Sequence, residues 1–479
     1  MKRLTHHTLS LGMALMLLFP VFMCSCADEE EFTTAEGAIL SFSTDTVSFD
    51  TLFVEVTSTT ERFCIYNPNR KGVRISQARL ESGGTSGFMM NVDGQSGSIV
   101  QDVQIYGKDS AFVFVKVNMP IQSSVEPTKV TDAIIFTLES GMEQKVQLVA
   151  YGQNANVWKA KVLNSTEEEV TQADDLPYLI YDSLVVAENT TWRIKEGNRF
   201  YFHNGASLIV HGTLIVEGTL DKPVVFRGDR MDRMFSYLPY DRLENQWGGI
   251  YLSPSCQGLT LNHTDIHSGN YGVVCDSIQG EVHIQNTMIH NVAGYGLYLK
   301  DTKAEVANTQ VTNSRYDCVS IYGGSSDFYH CTIAQFYPWK ADRGHALYVS
   351  NCIDEQEHLV ETANFFNCFI TGYANDEVYG YPGEKTLPIL FDHCVLLTDV
   401  SDGTYFRDCI GESKDSVTYK SSNFRSFDTH AFSYDFRLDS LSIARGKGAS
   451  TYADMYPLDL NGVERKGTPD AGCYQYEKK

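Results

Sequence analysis

Several functional classes are excluded by what this 479-residue sequence has little of. Of the ten cysteines beyond residue 26, no two form a CxxC pair, so zinc-ribbon and thioredoxin-like chemistry have no support. They are also too scattered to staple a miniature disulfide fold. Basic residues are scarce: 38 Lys and Arg against 60 Asp and Glu give a formal net charge of −22. Phosphate backbones call for stripes of Lys and Arg, so nucleic acid is excluded as a partner. An acidic surface of this size acts first on solubility. Past the N-terminal region no long apolar run occurs.

The one such run is "LSLGMALMLLFPVFM", residues 9–23, preceded by Lys2 and Arg3 and followed by "CSC". It is too short for a comfortable bilayer span and has the layout of a secretory signal. Cys26 follows the small residue Ser25, whereas Cys24 follows Met23, a poorer fit. "MCSC" therefore resembles a lipobox cleaved between Ser25 and Cys26. That resemblance implies a signal peptide over residues 1–25 and acyl chains, palmitate among them, on Cys26. Together these chains bury enough methylenes for stable anchoring. "ADEEE" (Ala27 to Glu31) reads by itself as a solvated tether. Directly behind a lipidated cysteine it resembles the surface-export signal of lipoproteins in one Gram-negative phylum. This implies an acidic tether over residues 26–36 and a location on the extracellular side of the outer membrane, with the lipid as the membrane contact.

The middle of the chain repeats itself. "NHTDIHSGNYGVVC" (Asn262 to Cys275) returns as "QNTMIHNVAGYGLYL" (Gln285 to Leu299), and six segments share the form [H/N]-[T/C]-x-[I/V/L]. Their second positions are Thr264, Thr287, Thr309, Cys331, Cys368 and Cys394, spaced by 23, 22, 22, 37 and 26 residues. A period in the low twenties without a helical apolar pattern between copies predicts a solenoid of short strands. Each copy carries a second apolar run, such as Gly272-Val273-Val274 or Ala346-Leu347-Tyr348. Two or three strands per coil make the rung of a right-handed parallel β-helix. Equivalent residues then stack one strand spacing, about 4.8 Å, apart. The Ile/Val/Leu column fills the interior, and the Thr/Cys column is a buried stack of small residues, which makes Cys331, Cys368 and Cys394 packing residues. The His/Asn column resembles the polar ladders of β-helices, and that reading of His263, His330 and His393 takes precedence over a metal or catalytic one.

Residues 183–229 and "WGGIYL" (Trp247 to Leu252) resemble the opening rungs of secreted β-helix proteins. "DLNGVERKGTPDAGCYQYE" (Asp459 to Glu477) resembles the closing segment of cell-surface β-helix proteins, in which Asp459, Arg465 and Asp470 would pair to fix a terminal cap over an open strand edge. The N-terminal part differs. About seven alternating strands with turn residues at intervals of about ten read as a β-sandwich. "FCIYNP" (Phe63 to Pro68) is similar to immunoglobulin-like modules of exported proteins. The expected fold is all-β: an immunoglobulin-like sandwich over 37–155, then a right-handed parallel β-helix with its cap over 156–479.

The β-helix resemblance brings polysaccharide lyases and hydrolases into view, but residues must carry the chemistry. Polygalacturonase-like enzymes need paired aspartates in N-T-D, D-D and G-H-G settings. Here Gly344-His345-Ala346 stands in place of G-H-G, and no N-T-D occurs. β-Elimination needs a Lys or Arg base and a cationic clamp on the uronate. The long rung "FYPWKADRGHALYVSNCIDEQEH" (Phe336 to His358) offers Lys340, Arg343 and His345 as catalytic candidates beneath Tyr337 and Trp339. "GYANDEVYGYPGEK" (Gly372 to Lys385), with Tyr379, should lie beside it. An interaction surface, an ordinary insertion and an active site all accommodate these residues. Asp-(Ser/Thr)-apolar tripeptides, among them Asp45-Thr46-Val47 and Asp415-Ser416-Val417, resemble O-glycosylation acceptors, though turns favour the same residues. The functional expectation is a non-catalytic binding or scaffold module without cofactor or metal, engaging an outer-membrane protein complex (β-barrel assembly or nutrient uptake) or a surface glycan. The alternative is a β-helix lyase or hydrolase.

Overall fold

The computed structural model describes residues 31–166, 168–414 and 423–478. The expected signal peptide, Cys26, most of the acidic run and Asp415-Ser416-Val417 lie outside the described residues. The chain divides into two compact units, the first built mainly from residues up to Tyr151 and the second from Gly152 onward.

The first unit pairs two five-stranded sheets. Strict alternation explains them: in Ser110–Val117, "SAFVFVKV", every second side chain is buried. Phe42 and Phe63 of one sheet meet Phe136 of the other at 5.2 and 6.4 Å between ring centroids, so the core lies between the sheets. The ten strands exceed the seven expected because short strands such as Ser41–Phe42 and Gln95–Gly97 lack a readable period.

The second unit is a 26-stranded, mainly parallel coil whose successive turns stack on three faces. On the first face the register runs Phe226 to Ile266, Ile289, Val311, Ile333, Ile370 and Leu396. From Phe226 to Leu396 each of these side chains is fully buried. A third-face column ends in a file of rings, Phe328, Phe365, Phe391 and Phe406, stacked at 4.9, 4.9 and 5.3 Å. Stacking lets each coil bury what a single turn could not.

The [H/N] column has a backbone cause. His263, Asn286, Asn308, His330, Asn367 and His393 all have φ between 46° and 54°. The chain turns there between two faces through the left-handed region, which Asn and His tolerate better than most residues. Their side chains link along the column, Asn308 Nδ2 to Asn286 Oδ1 at 3.3 Å and Asn367 Nδ2 to His330 Nε2 at 3.1 Å. The Thr/Cys column beside it is buried, and its cysteines are free thiols.

The C-terminal segment departs from expectation. It does not close an end of the coil but lies along the first face, across successive turns. Arg465 Nη2 donates to Asn308 Oδ1, Tyr474 OH to Gln310 Oε1, and the Cys473 and Gly472 amides to Thr332 Oγ1 and the Asn367 carbonyl. The expected Asp459–Arg465–Asp470 pairing gives way to backbone capping. Asp459 accepts the amides of Asn461, Val463 and Gln475, and Asp470 those of Gly446 and Tyr476. The reason lies outside the interior column: Met288, Phe369, Val395 and Ile410 point outward there and need cover. Phe424, Phe436, Leu438 and Tyr474 supply it.

Candidate functional site

The second face of the coil carries a different outward chemistry. Its strands include Ile250–Leu252, Val273–Asp276, Leu297–Ala307, Val319–Tyr329, Leu347–Ser350 and Val378–Tyr381. Ile250, Val273, Leu297, Val319 and Leu347 point inward. By the period of two, the next residue in each strand points out. That column reads Tyr251, Val274, Tyr298, Ser320, Tyr348 and Tyr379. Two positions further on stand Asp276, Lys300, Tyr322, Ser350 and Tyr381.

Turn tyrosines extend the row. Tyr271 and Tyr295 each precede a glycine, and a Cβ on Gly272 would lie 2.3 Å from the Gly296 carbonyl oxygen, so the turn closes only without a side chain. The rings then run without a break. Tyr251 meets Tyr271 at 5.8 Å, Tyr271 meets Tyr295 at 6.3 Å, and Tyr295 meets Tyr298 at 5.1 Å. Tyr298 to Tyr322, Tyr322 to Tyr348 and Tyr348 to Tyr379 follow at 5.4, 5.6 and 5.2 Å, and His345 stacks on Tyr379 at 5.3 Å. Together with Asp276, Cys352 and Asp354 the rings from Tyr251 to Tyr348 line a depression of about 740 Å³.

Tyr251 and Tyr298 are neutral at physiological pH, because partial burial pushes them up to about 12. Their hydroxyls therefore donate and accept hydrogen bonds without bringing charge. The carboxylates beside the row include paired ones. Lys300 is bonded to Asp276 at 3.0 Å, and Asp301 accepts from His358 Nδ1 at 2.7 Å.

The residues singled out in the sequence do not form one cluster. His345 faces the tyrosine row, its amide held by Asp317 Oδ1 at 2.8 Å and its Nδ1 at 3.7 Å from the same carboxylate, which raises its pKa. Arg343 turns into its own loop, donating to the carbonyls of Tyr337 and Lys340 and lying 4.5 Å over the Tyr373 ring. Lys340 is exposed. Trp339 packs on Phe432 of the C-terminal segment at 4.1 Å, and Tyr337 is buried with its hydroxyl on Glu244 Oε1. Tyr337 is thus a packing residue and not a binding platform, because the C-terminal segment and the 229–247 excursion enclose that side of the loop. Tyr379 is 44% exposed and ends the tyrosine row.

Sequence reasoning missed the row, although its signal was present. Tyrosine follows the inward residue in two of the second apolar runs, Gly296-Leu297-Tyr298 and Ala346-Leu347-Tyr348, while Val274 and Ser320 take that place in two others.

Near the row, buried acids hold backbone amides of their own and neighbouring coils. Glu377 accepts the amides of Ala374 and Ala346, and burial pushes it up to about 7. Asp317 is occupied by the His345 amide and the Ser320 hydroxyl.

One comparison bears on the coil. The profile of the family described as "Right handed beta helix region" matches residues 178–335. No curated protein matches the chain. Among solved structures, the chain is similar to the ASH/PapD-like domain 7 of human CEP192, at 10% identity over 25% of this chain and 88% of that one, with a TM-score of 0.17. A family 123 glycoside hydrolase from Clostridium perfringens aligns at 9% identity over 28% of this chain and 30% of its own, with a TM-score of 0.18. Neither likeness is close enough to argue from.

Proposed function

We propose that this protein is a surface-anchored lipoprotein that binds a neutral glycan along the tyrosine face of its β-helix without cleaving it. The tyrosine row carries the reading. Rings 5.2–6.3 Å apart from one coil to the next match the advance of an extended pyranose chain. Sugars offer C–H faces to aromatic rings and hydroxyls to phenols and carboxylates, and tyrosine serves both at low entropic cost. Asp354 in the depression disfavours uronates by like-charge repulsion, and Asp276 is already paired with Lys300, which argues against the acidic substrate of a lyase. Of the candidate bases of such an enzyme, Lys340, Arg343 and His345, Arg343 is committed to carbonyls of its own loop.

Titration of the purified full chain with neutral oligosaccharides of increasing length tests this. Affinity should rise with chain length until the row is filled, and the triple variant Tyr251→Ala, Tyr298→Ala, Tyr348→Ala should lose it. Equal binding by that variant, or release of shortened products, overturns the reading.

A second reading, docking to an outer-membrane protein, has one observation behind it. On the first unit, Phe112 and Phe114 stack at 6.1 Å on the outward side of their strand, and both are exposed. Solvated strand faces ordinarily carry polar residues there. Co-purification of a β-barrel protein that is lost in Phe112→Ser, Phe114→Ser would support this reading; co-purification unchanged in that variant would reject it.

A further inference from the structure

Outside the tyrosine face, one cluster of side chains has no role in the proposed function. Asp265 and His267 lie on Thr264–His267, and His290 lies on Met288–Val292. His267 and His290 are register partners one coil apart, their rings 4.8 Å apart and nearly parallel at 18°. Asp265 Oδ1 lies 2.9 Å from His267 Nδ1 and 3.1 Å from His290 Nε2, and one ligand atom from each of the three lies within 4.8 Å of the others. On the far side of the imidazole, His267 Nε2 is 2.9 Å from Asp241 Oδ1, and Arg227 pairs with Asp241.

We propose that Asp265, His267 and His290 bind one divalent first-row transition-metal ion, with Asp241 orienting His267 for it. Bonds of about 2.0–2.2 Å to one ion place neighbouring ligand atoms about 3 Å apart, the spacing that Asp265 Oδ1 keeps to both imidazoles. Two imidazoles and one carboxylate suit zinc and its neighbours better than calcium or magnesium, which take all-oxygen sets. An imidazole that ligates through one nitrogen ordinarily gives its other N–H to a carboxylate, which fixes tautomer and ring plane. Asp241 does this for His267. Because Arg227 already pairs with Asp241, Asp265 is the carboxylate left to offer its charge to the ion. His290 and Asp241 also line a depression of about 450 Å³, with Gln310, Thr312 and Asn313 on its wall. Three protein ligands leave positions open towards that space, so water or a small anion completes the coordination.

The site is separate from the polar ladder: its histidines follow the Ile column, whereas His263 and Asn286 precede it. The next coil places Thr312 beneath His290, so the pair does not continue.

The test uses the full chain stripped with a chelator and titrated calorimetrically with Zn²⁺, then with Co²⁺ as a spectroscopic probe. One ion per chain is expected, with visible Co²⁺ absorption from mixed nitrogen and oxygen ligands and a metal-dependent rise in melting temperature. His290→Ala and Asp265→Asn should each weaken Zn²⁺ at least about a hundredfold. Asp241→Asn should weaken it about tenfold while keeping the Co²⁺ bands. His290 is partly exposed, so its variant folds even if Asp265→Asn does not. No saturable ion, or Zn²⁺ binding by His290→Ala equal to the parent, overturns the proposal and leaves an imidazole clamped by two carboxylates as the whole content of the cluster.

Discussion

Two outward faces of the same coil have been finished in opposite ways. On the first, the outward column turns apolar toward its C-terminal end, through Phe369, Val395 and Ile410, and the chain's own last segment covers it. On the second, the outward column is aromatic but polar-tipped, and Tyr379 and Tyr381 remain 44% and 47% exposed. Both columns present large side chains in register, so bulk does not decide which face is covered. Phenylalanine and valine have nothing to give to water, whereas tyrosine keeps its hydroxyl solvated while its ring stays available. A covered face stabilises the coil; an uncovered aromatic one is available to a ligand.

The largest test of this contrast removes the cover. Phe436 is buried between Phe424, Tyr434 and Phe336, with ring centroids at 5.0, 5.8 and 6.1 Å. Phe436→Ala should cost about 3–4 kcal/mol in denaturant unfolding and expose the apolar column, so the variant should also aggregate on heating. A loss below about 1 kcal/mol would mean the C-terminal segment is only loosely laid on the face.

Next comes the group at which this segment is fastened. Glu412 accepts from Thr371 Oγ1 on the coil and from Asn423 Nδ2 on the C-terminal segment. Burial outweighs both bonds and pushes its carboxyl from 4.5 up to about 7. The folded state therefore holds this proton at pH values where the unfolded chain has released it. The associated stabilisation is complete below about pH 4.5 and is lost as pH rises through 7. Glu412→Gln keeps the bond from Asn423 and lets the Thr371 hydroxyl turn to accept. At pH 8 it should be more stable than the parent by roughly 2–3 kcal/mol, with the difference gone at pH 4.5. Melting curves across that range decide it, and a difference that does not change with pH would remove Glu412 as the cause.

On the open face the effect should appear in binding and not in stability. Tyr298 sits mid-row between Tyr295 and Tyr322. Tyr298→Ala should weaken a bound oligosaccharide about tenfold, ~1.4 kcal/mol by calorimetry. Tyr298→Phe should keep the stacking and lose only the hydroxyl's share. A Tyr298→Ala variant that unfolds as readily as Phe436→Ala would erase the distinction between the two faces.

The first face was legible in the sequence because one interior column, Ile266, Ile289, Val311 and Ile333, follows a short motif at nearly constant spacing. The second was not, because loops of unequal length separate its tyrosines and only the stacking reveals that Tyr251, Tyr298, Tyr348 and Tyr379 share a column. The His/Asn column was readable as polar, but its cause, a left-handed turn residue at every coil, is a backbone fact. The C-terminal segment was misplaced for a related reason. Nothing local in "DAGCYQYE" separates a lid over an end from a strap along a side; that depends on outward residues more than a hundred positions away, such as Gln310. His267 and His290 each stand four residues after an [H/N] position and outside the repeated motif itself, although the same period places them on one another.

The smallest expected effect bears on the long rung. If Lys340 and Arg343 were catalytic, removing either would abolish turnover of a polysaccharide; as loop residues they should behave differently from each other. Lys340 is exposed, and Lys340→Ala should leave melting and glycan affinity within error. Arg343 holds two carbonyls and stacks on Tyr373 beside the C-terminal segment. Arg343→Ala should therefore cost about 1 kcal/mol of stability, through hydrogen bonds and ring contact, and nothing in glycan binding. Because Tyr373 packs on Phe336 and Phe427, that loss belongs to the covered face, and it should shrink when Phe436→Ala has already loosened the cover. Full additivity of the two substitutions would place Arg343 outside that packing and return it to the open face.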